Sequence, residues 1–242
     1  MAPSISSFSS RGPNPVTPDI LKPNLTASGV DILAAWSPSA PPSEDFYPDT
    51  RTHVLDSKKH EDLEFAYGSG HINPLKAVNP SLIFDASEAD HINFLCKQGY
   101  NSSILNIITG DNSSCGSTKP GKAWDLNYPS FSLQLEDGRA INAEFPRTVT
   151  DVGSTNSTYT ISFYTPSDAI TISVSPTTLS FSSIGEEKSF IVKVTGPRTS
   201  NQPITSGSVV LSDGSHVVRT PLVVYTYFPR SISALPLGLR KN

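Results

Sequence analysis

Ser69, His71 and Asp85 are the residues whose types would suit a nucleophile, a base and an orienting carboxylate. Two positions apart on extended chain, Ser69 and His71 would share a face. Their setting argues against acyl chemistry. Ser69 stands in Tyr-Gly-Ser-Gly-His rather than a Gly-x-Ser-x-Gly elbow, and no neighbouring segment marks an oxyanion hole. Gly68 and Gly70 fit a backbone bend instead. No catalytic residue is therefore assigned.

Cys96 and Cys115 are the chain's two cysteines. In an oxidising compartment they would form a bridge worth about 3 kcal/mol of loop-closure entropy; in a reducing one they would be free thiols. No histidine stands at ligand spacing from them, so no metal site and no cofactor are expected. Four Asn-x-Ser/Thr sequons occur, at Asn24, Asn101, Asn112 and Asn156, and they have meaning only for a chain that enters the secretory pathway. Arg11, in Ser-Ser-Arg-Gly-Pro, reads as a hydrogen-bonding strut rather than a substrate contact. Trp36 and Trp124 read as packing residues. Glu61, Asp62 and Glu64 read as a solvated acidic face.

The elements that would position these residues come from pattern and punctuation. The chain has 242 residues, 36% of them hydrophobic, enough for one large domain or two small ones. Its formal charge of -4 carries no basic block, so neither nucleic acid nor an anionic membrane surface is an expected partner. No segment approaches the roughly 20 apolar residues of a membrane span, and the N-terminus shows no export signal. With 21 prolines, 15 glycines and one methionine, the composition favours many short strands.

Residues 1–36 contain the aliphatic run 30–35, which reads as a buried strand, and 37–64 is a Pro-, Ser- and charge-rich linker. Across 65–120 two helices are predicted. One starts at Ser87 with Asp90 three residues on, stops at Gly99 and packs through Ala89, Ile92, Leu95 and Cys96. The other, 102–108, ends at Gly110 and packs through Ile104, Leu105, Ile107 and Ile108. From 121 to 227 seven alternating runs (129–135, 141–150, 158–165, 170–176, 187–195, 204–212 and 216–226) predict an antiparallel sandwich of immunoglobulin or fibronectin type III kind. Asp213-Gly214 serves as a hairpin turn. Residues 228–242 lose the alternation and read as a disordered tail.

The motifs as a set resemble the plant subtilases, the cucumisin-like serine proteases in particular. SFSSRGPN (7–14) and DILKPNLTASGVDILAAW (19–36) are similar to the family segment that leads through a core parallel strand toward the serine helix. FAYGSGHINPLKAVNP (65–80) is similar to the stretch after that helix. LNYPSF (126–131), FPRTVTDVG (145–153), VSPTTLSF (174–181) and SDGSHVVRTPLVV (212–224) resemble its C-terminal domain. The resemblance implies a mainly β chain: a remnant of the α/β catalytic domain followed by a fibronectin type III-like sandwich. It also implies a secreted, extracellular or cell-wall setting.

Small departures are Asn24 where the family has Asp, Ser28 where it has Pro and Ser81 where it has Gly. Because Asn24 would lie inside the protease core, its sequon is set aside, which leaves Asn101, Asn112 and Asn156 as glycosylation candidates. The large departure is catalytic. The family's serine sits in a Gly-Thr-Ser-Met run at a helix N-terminus, but the sole methionine here is Met1. None of His53, His60, His71, His91 and His216 is followed by Gly, as the family's catalytic histidine is. The family's Asp, His and Asn would fall before residue 1, and the serine segment would fall between 36 and 65. Preserved flanks point to an exon-sized deletion near Val54–Leu55. Three readings follow: an inactive member of the protease family, a sandwich that docks on an intact subtilase, or a chain whose exposed apolar surface leaves it no stable role.

Overall fold

The structure, a computed structural model, describes residues 4–6, 8–29, 53–54, 62–117, 121–136, 138–198 and 204–227. The run 30–35, Trp36, nearly all of 37–64, the junction at Leu55 and the tail 228–242 lie outside the described residues.

In chain order, β1 (Ser4–Ile5) pairs antiparallel with β2 (His53–Val54). Next come α1 (Glu64–Tyr67), α2 (Pro74–Ala77), β3 (Leu82–Ile83), α3 (Glu88–Lys97), α4 (Ser102–Thr109) and two 3-10 turns, Cys115–Ser117 and Ala123–Asp125. The strands β4 (Phe131–Glu136), β5 (Ala140–Asp151), β6 (Ser157–Tyr164), β7 (Thr171–Ser175), β8 (Thr178–Phe181), β9 (Glu187–Arg198), β10 (Ile204–Ser212) and β11 (Val217–Tyr227) complete the order.

The chain is mainly β, because alternating side chains give each strand one apolar face to bury. On β5 the inward positions are Ile141, Ala143, Phe145, Arg147 and Val149, and β9 answers with Phe190, Val192 and Val194. One sheet runs β4-β11-β10-β6-β8 and the other β3-β5-β9-β7. Between them lies a core that includes Phe131, Phe145, Tyr159, Phe181 and Leu211.

The expected antiparallel sandwich needs three corrections. β4 runs parallel to β11. The run 170–176 is followed by an eighth strand, β8, which pairs with β6 in the opposite sheet. Pro176 has no N–H to give β7's ladder, so the chain leaves one sheet and resumes in the other. Thirdly, β3 lies upstream of residue 121 yet forms the edge of the four-stranded sheet through Leu82–Asp151 and Ile83–Thr150 pairing.

β11 lacks alternation for a related reason. Leu222 and Val224 face the core, while Val223 and Tyr225 are buried beneath Leu21 and Phe65 on the sheet's outer face. Phe65 meets Tyr225 edge-on with ring centroids 5.0 Å apart.

α3 starts and stops as its sequence signals predict. Ser87 and Asp90 form a reciprocal capping box, and Gly99 takes φ +93°. Its buried side chain is Phe94, whereas Ala89 is exposed, because the helix rests on the sandwich by the Phe94 and Lys97 side. α4 is capped by Asn101 and ends at left-handed Gly110. Of its predicted stripe only Leu105 is buried; Ile104, Ile107 and Ile108 are 42%, 83% and 53% exposed.

Candidate functional site

Ser69, His71 and Asp85 are placed apart in their bonding. The Ser69 amide donates to the Asn24 carbonyl, and its own carbonyl accepts from Arg219 at 3.3 Å. Asp85 belongs to the sandwich, where it accepts from the Thr150 hydroxyl at 2.6 Å. Among the described residues no hydrogen bond joins the three. Thr26 and His71 form an isolated parallel bridge, so His71 instead meets Ser28, with Nε2 3.4 Å from Oγ and Nδ1 2.9 Å from the Ile72 carbonyl. This pair is exposed and its contact is long, and the described structure aims no oxyanion donors beside it.

Between α3 and the sandwich lies a cleft of about 480 Å³, whose charged lining is Asp85, Asp90, Lys97, Asp125, Arg147 and Glu187. At its floor Arg147 takes an inward β5 position otherwise given to apolar residues. Its guanidinium donates to the carbonyls of Tyr128 (2.9 Å), Trp124 (3.1 Å), Pro146 (2.8 Å) and Ser130 (2.9 Å). It also stacks on Phe131, 4.8 Å from the ring centroid. Burial pulls it down to about 9, with Asp125 acting the other way. Donors spent on the protein's own backbone are poorly placed to seize an anionic ligand, so Arg147 works as a clamp on 124–130.

Asn127 completes the clamp. It donates to the carbonyls of Asp85 and Thr148, both at 2.8 Å, and accepts from the Thr148 amide at 2.9 Å. Lys97 lies 3.7 Å from Asp125. The runs LNYPSF and FPRTVTDVG contain Asn127 and Arg147 but give neither a role, since backbone carbonyls leave no signature in side-chain spacing. Arg147's inward position on an alternating strand and Asn127's place in the dense LNYPSF run are the available signals.

Arg11 is a strut, as expected: it lies 3.3 Å from Asp62 and donates to the Ser9 carbonyl. Trp124 donates to the Glu144 carbonyl at 3.1 Å and packs on Phe145. Glu64 corrects the solvated-face expectation, because it is only 3% exposed. The Ser206 hydroxyl donates to it, and Arg219 lies 3.8 Å away. Burial pushes Glu64 up and carries Tyr67 to about 12, the latter helped by Glu64's charge.

Cys96 and Cys115 are disulfide-bonded with Cα atoms 5.6 Å apart, joining the end of α3 to the turn at 115–117. Asn101, Asn112 and Asn156 are all exposed. Asn156 takes φ +59° in the β5–β6 turn. Among the described residues no group of His, Cys, Asp and Glu could hold a metal ion. The described arrangement is a polar seam built for rigidity, with no assembled nucleophile.

Residues 125–224 match the family model of a fibronectin type-III domain. Subtilisin-like protease SBT4.13 of Arabidopsis thaliana is 36% identical, with 93% of this chain and 37% of that protein covered. Subtilisin-like protease SBT4.4 of the same plant is 37% identical over 93% of this chain and 36% of its own length. The chain spans a little over a third of the length of these curated relatives. The SBT4.13 alignment runs over 269 positions yet takes in 93% of 242 residues, so about 44 of the positions have no counterpart here. Among solved structures, a FixG-related protein from Vibrio parahaemolyticus aligns with a TM-score of 0.30 at 13% identity, over 37% of this chain and 82% of that one.

Proposed function

The chain belongs to the plant subtilisin-like protease family, and from that premise we propose that it is a proteolytically inactive member whose sandwich is its working part. The observation that carries this reading is internal to the chain. About 44 aligned positions of the SBT4.13 relative are missing, and no Gly-Thr-Ser-Met run stands between DILAAW and FAYGSGH, where the family pattern expects the nucleophile. Residues added before Met1 could restore an Asp, a His or an Asn, but not that serine. Without the nucleophile the remaining parts of a triad have nothing to activate. Ser28 beside His71 is a poor substitute, being exposed and, among the described residues, without oxyanion donors.

Hydrolysis of an unfolded protein substrate by the purified chain tests this reading. The account expects a rate equal to that of the Ser28→Ala variant and of buffer alone. Turnover above both, blocked by a serine-directed inhibitor, would refute it.

A second reading has its own support. Val16, Leu25, Leu75 and Val78 are 70%, 48%, 89% and 86% exposed. Exposed apolar side chains of this kind beside the sandwich suit docking on an intact subtilase. Co-purification with a full-length subtilase, lost in Leu75→Ser/Val78→Ser, supports docking; retention of the enzyme by the double variant counts against it. The Cys96–Cys115 bond favours an oxidising, secretory setting in either case.

A further inference from the structure

α4 presents Ile104, Ile107 and Ile108 to solvent, and sequons bracket it: Asn101-Ser102-Ser103 at its N-cap and Asn112-Ser113-Ser114 just past its C-terminal Gly110. At 3.6 residues per turn, Asn101, Ile104 and Ile108 stand at i, i+3 and i+7 and share one face. A group carried by Asn101 therefore starts over the apolar stripe.

The cap geometry is compatible with that group. Asn101 uses Oδ1 to accept the Ile104 amide at 3.0 Å. N-glycosylation consumes Nδ2 and leaves Oδ1 in place, so a modified Asn101 still caps the helix. At the other end, Asp111 accepts from the Ser113 amide and from the Thr109 hydroxyl, both at 2.7 Å, so that the loop carrying exposed Asn112 is held against the end of α4. The adjoining Cys96–Cys115 disulfide belongs to the oxidising compartment in which such modification takes place.

We propose that Asn101 and Asn112 carry N-linked glycans that cover the Ile104, Ile107 and Ile108 face. In the transfer, each Nδ2 bonds to the anomeric carbon of a diphosphate-linked oligosaccharide donor. The carbon–oxygen bond to the diphosphate breaks, the diphosphate leaves with the electron pair, and one amide proton passes to a base of the transferring enzyme. Asn156 is exposed too, but it lies on the β5–β6 turn and has no part in covering α4.

The test uses the full chain behind an export leader in a eukaryotic host, with material taken from both cells and medium. Release by a peptide N-glycosidase in oxygen-18 water marks each occupied asparagine as labelled aspartate. Occupancy of Asn101 and Asn112 is expected. Removing the glycans is expected to raise apolar-dye fluorescence and self-association several-fold. Asn101→Asp/Asn112→Asp keeps a cap acceptor, destroys both sequons and should reproduce that rise; adding Ile104→Ser, Ile107→Ser and Ile108→Ser should abolish it. Unmodified Asn101 and Asn112, a dye signal unmoved by glycan removal, or a protein partner held on the bare face would each overturn the proposal.

Discussion

Arg147 shows how one side chain can hold a segment through backbone carbonyls. Its donors satisfy three carbonyls of 124–130 and the carbonyl of Pro146. Arg147→Met removes the donor from the buried Ser130 carbonyl and from the partly buried Trp124 and Tyr128 carbonyls, at about 1–3 kcal/mol for each that finds no water. Urea unfolding should report a loss of about 3–5 kcal/mol, the sum over two or three such carbonyls. Arg147→Lys should recover only part of it, because an ammonium cannot reproduce the planar fork. Full rescue by lysine would contradict the clamp. Ser81 makes the opposite point. It is fully buried at φ +62°, in the left-handed region that favours glycine. Ser81→Gly should raise stability by about 0.5–1 kcal/mol, the relief of strain exceeding the entropy glycine loses. A neutral or destabilising result would mean that the serine's packing outweighs its backbone cost.

At the scale of elements, signals that act within one segment were legible and those that depend on a distant neighbour were not. The Ser87–Asp90 capping box, the Gly99 and Gly110 stops and β5's alternation are local, and each matches the structure. Phe94 was passed over for Ala89 because the side of α3 that is covered depends on where the sandwich lies. β11 carries apolar residues on both faces because Leu21 and Phe65, far upstream, cover its outer side. β8 was missed because Pro176 makes the chain change sheets within a few residues. The Cys96–Cys115 bond links α3 to the turn beyond α4, with a sequence separation of 19. Cys96→Ser/Cys115→Ser should therefore cost about 3 kcal/mol, read as a lower denaturation midpoint, with amides of 97–115 losing exchange protection first. Equal protection in the variant would show that packing alone holds α4.

For the whole molecule, the seam between α1 and the sandwich couples stability to pH. Burial raises Glu64 above its ordinary 4.5, against the opposing pull of Ser206, its own amide and Arg219, while Tyr67 faces it from the same helix. The folded chain thus holds this proton more tightly than the unfolded one. That contribution is complete below 4.5 and fades as pH rises through the raised value. Glu64→Gln keeps an acceptor for the Ser206 hydroxyl and removes the titration, so its melting temperature should depend less on pH in that window. A variant whose profile tracks the parent would place the pH dependence elsewhere.

Proteolytic silence is the larger claim, and it rests on a nucleophile missing from within the chain rather than on the chain's limits. A fluorophosphonate probe, applied to the native and the heat-denatured chain and mapped by peptide mass spectrometry, tests it most directly. The account predicts no serine whose labelling depends on the native fold. Stoichiometric, heat-sensitive labelling of Ser28, Ser69 or any other serine would contradict it.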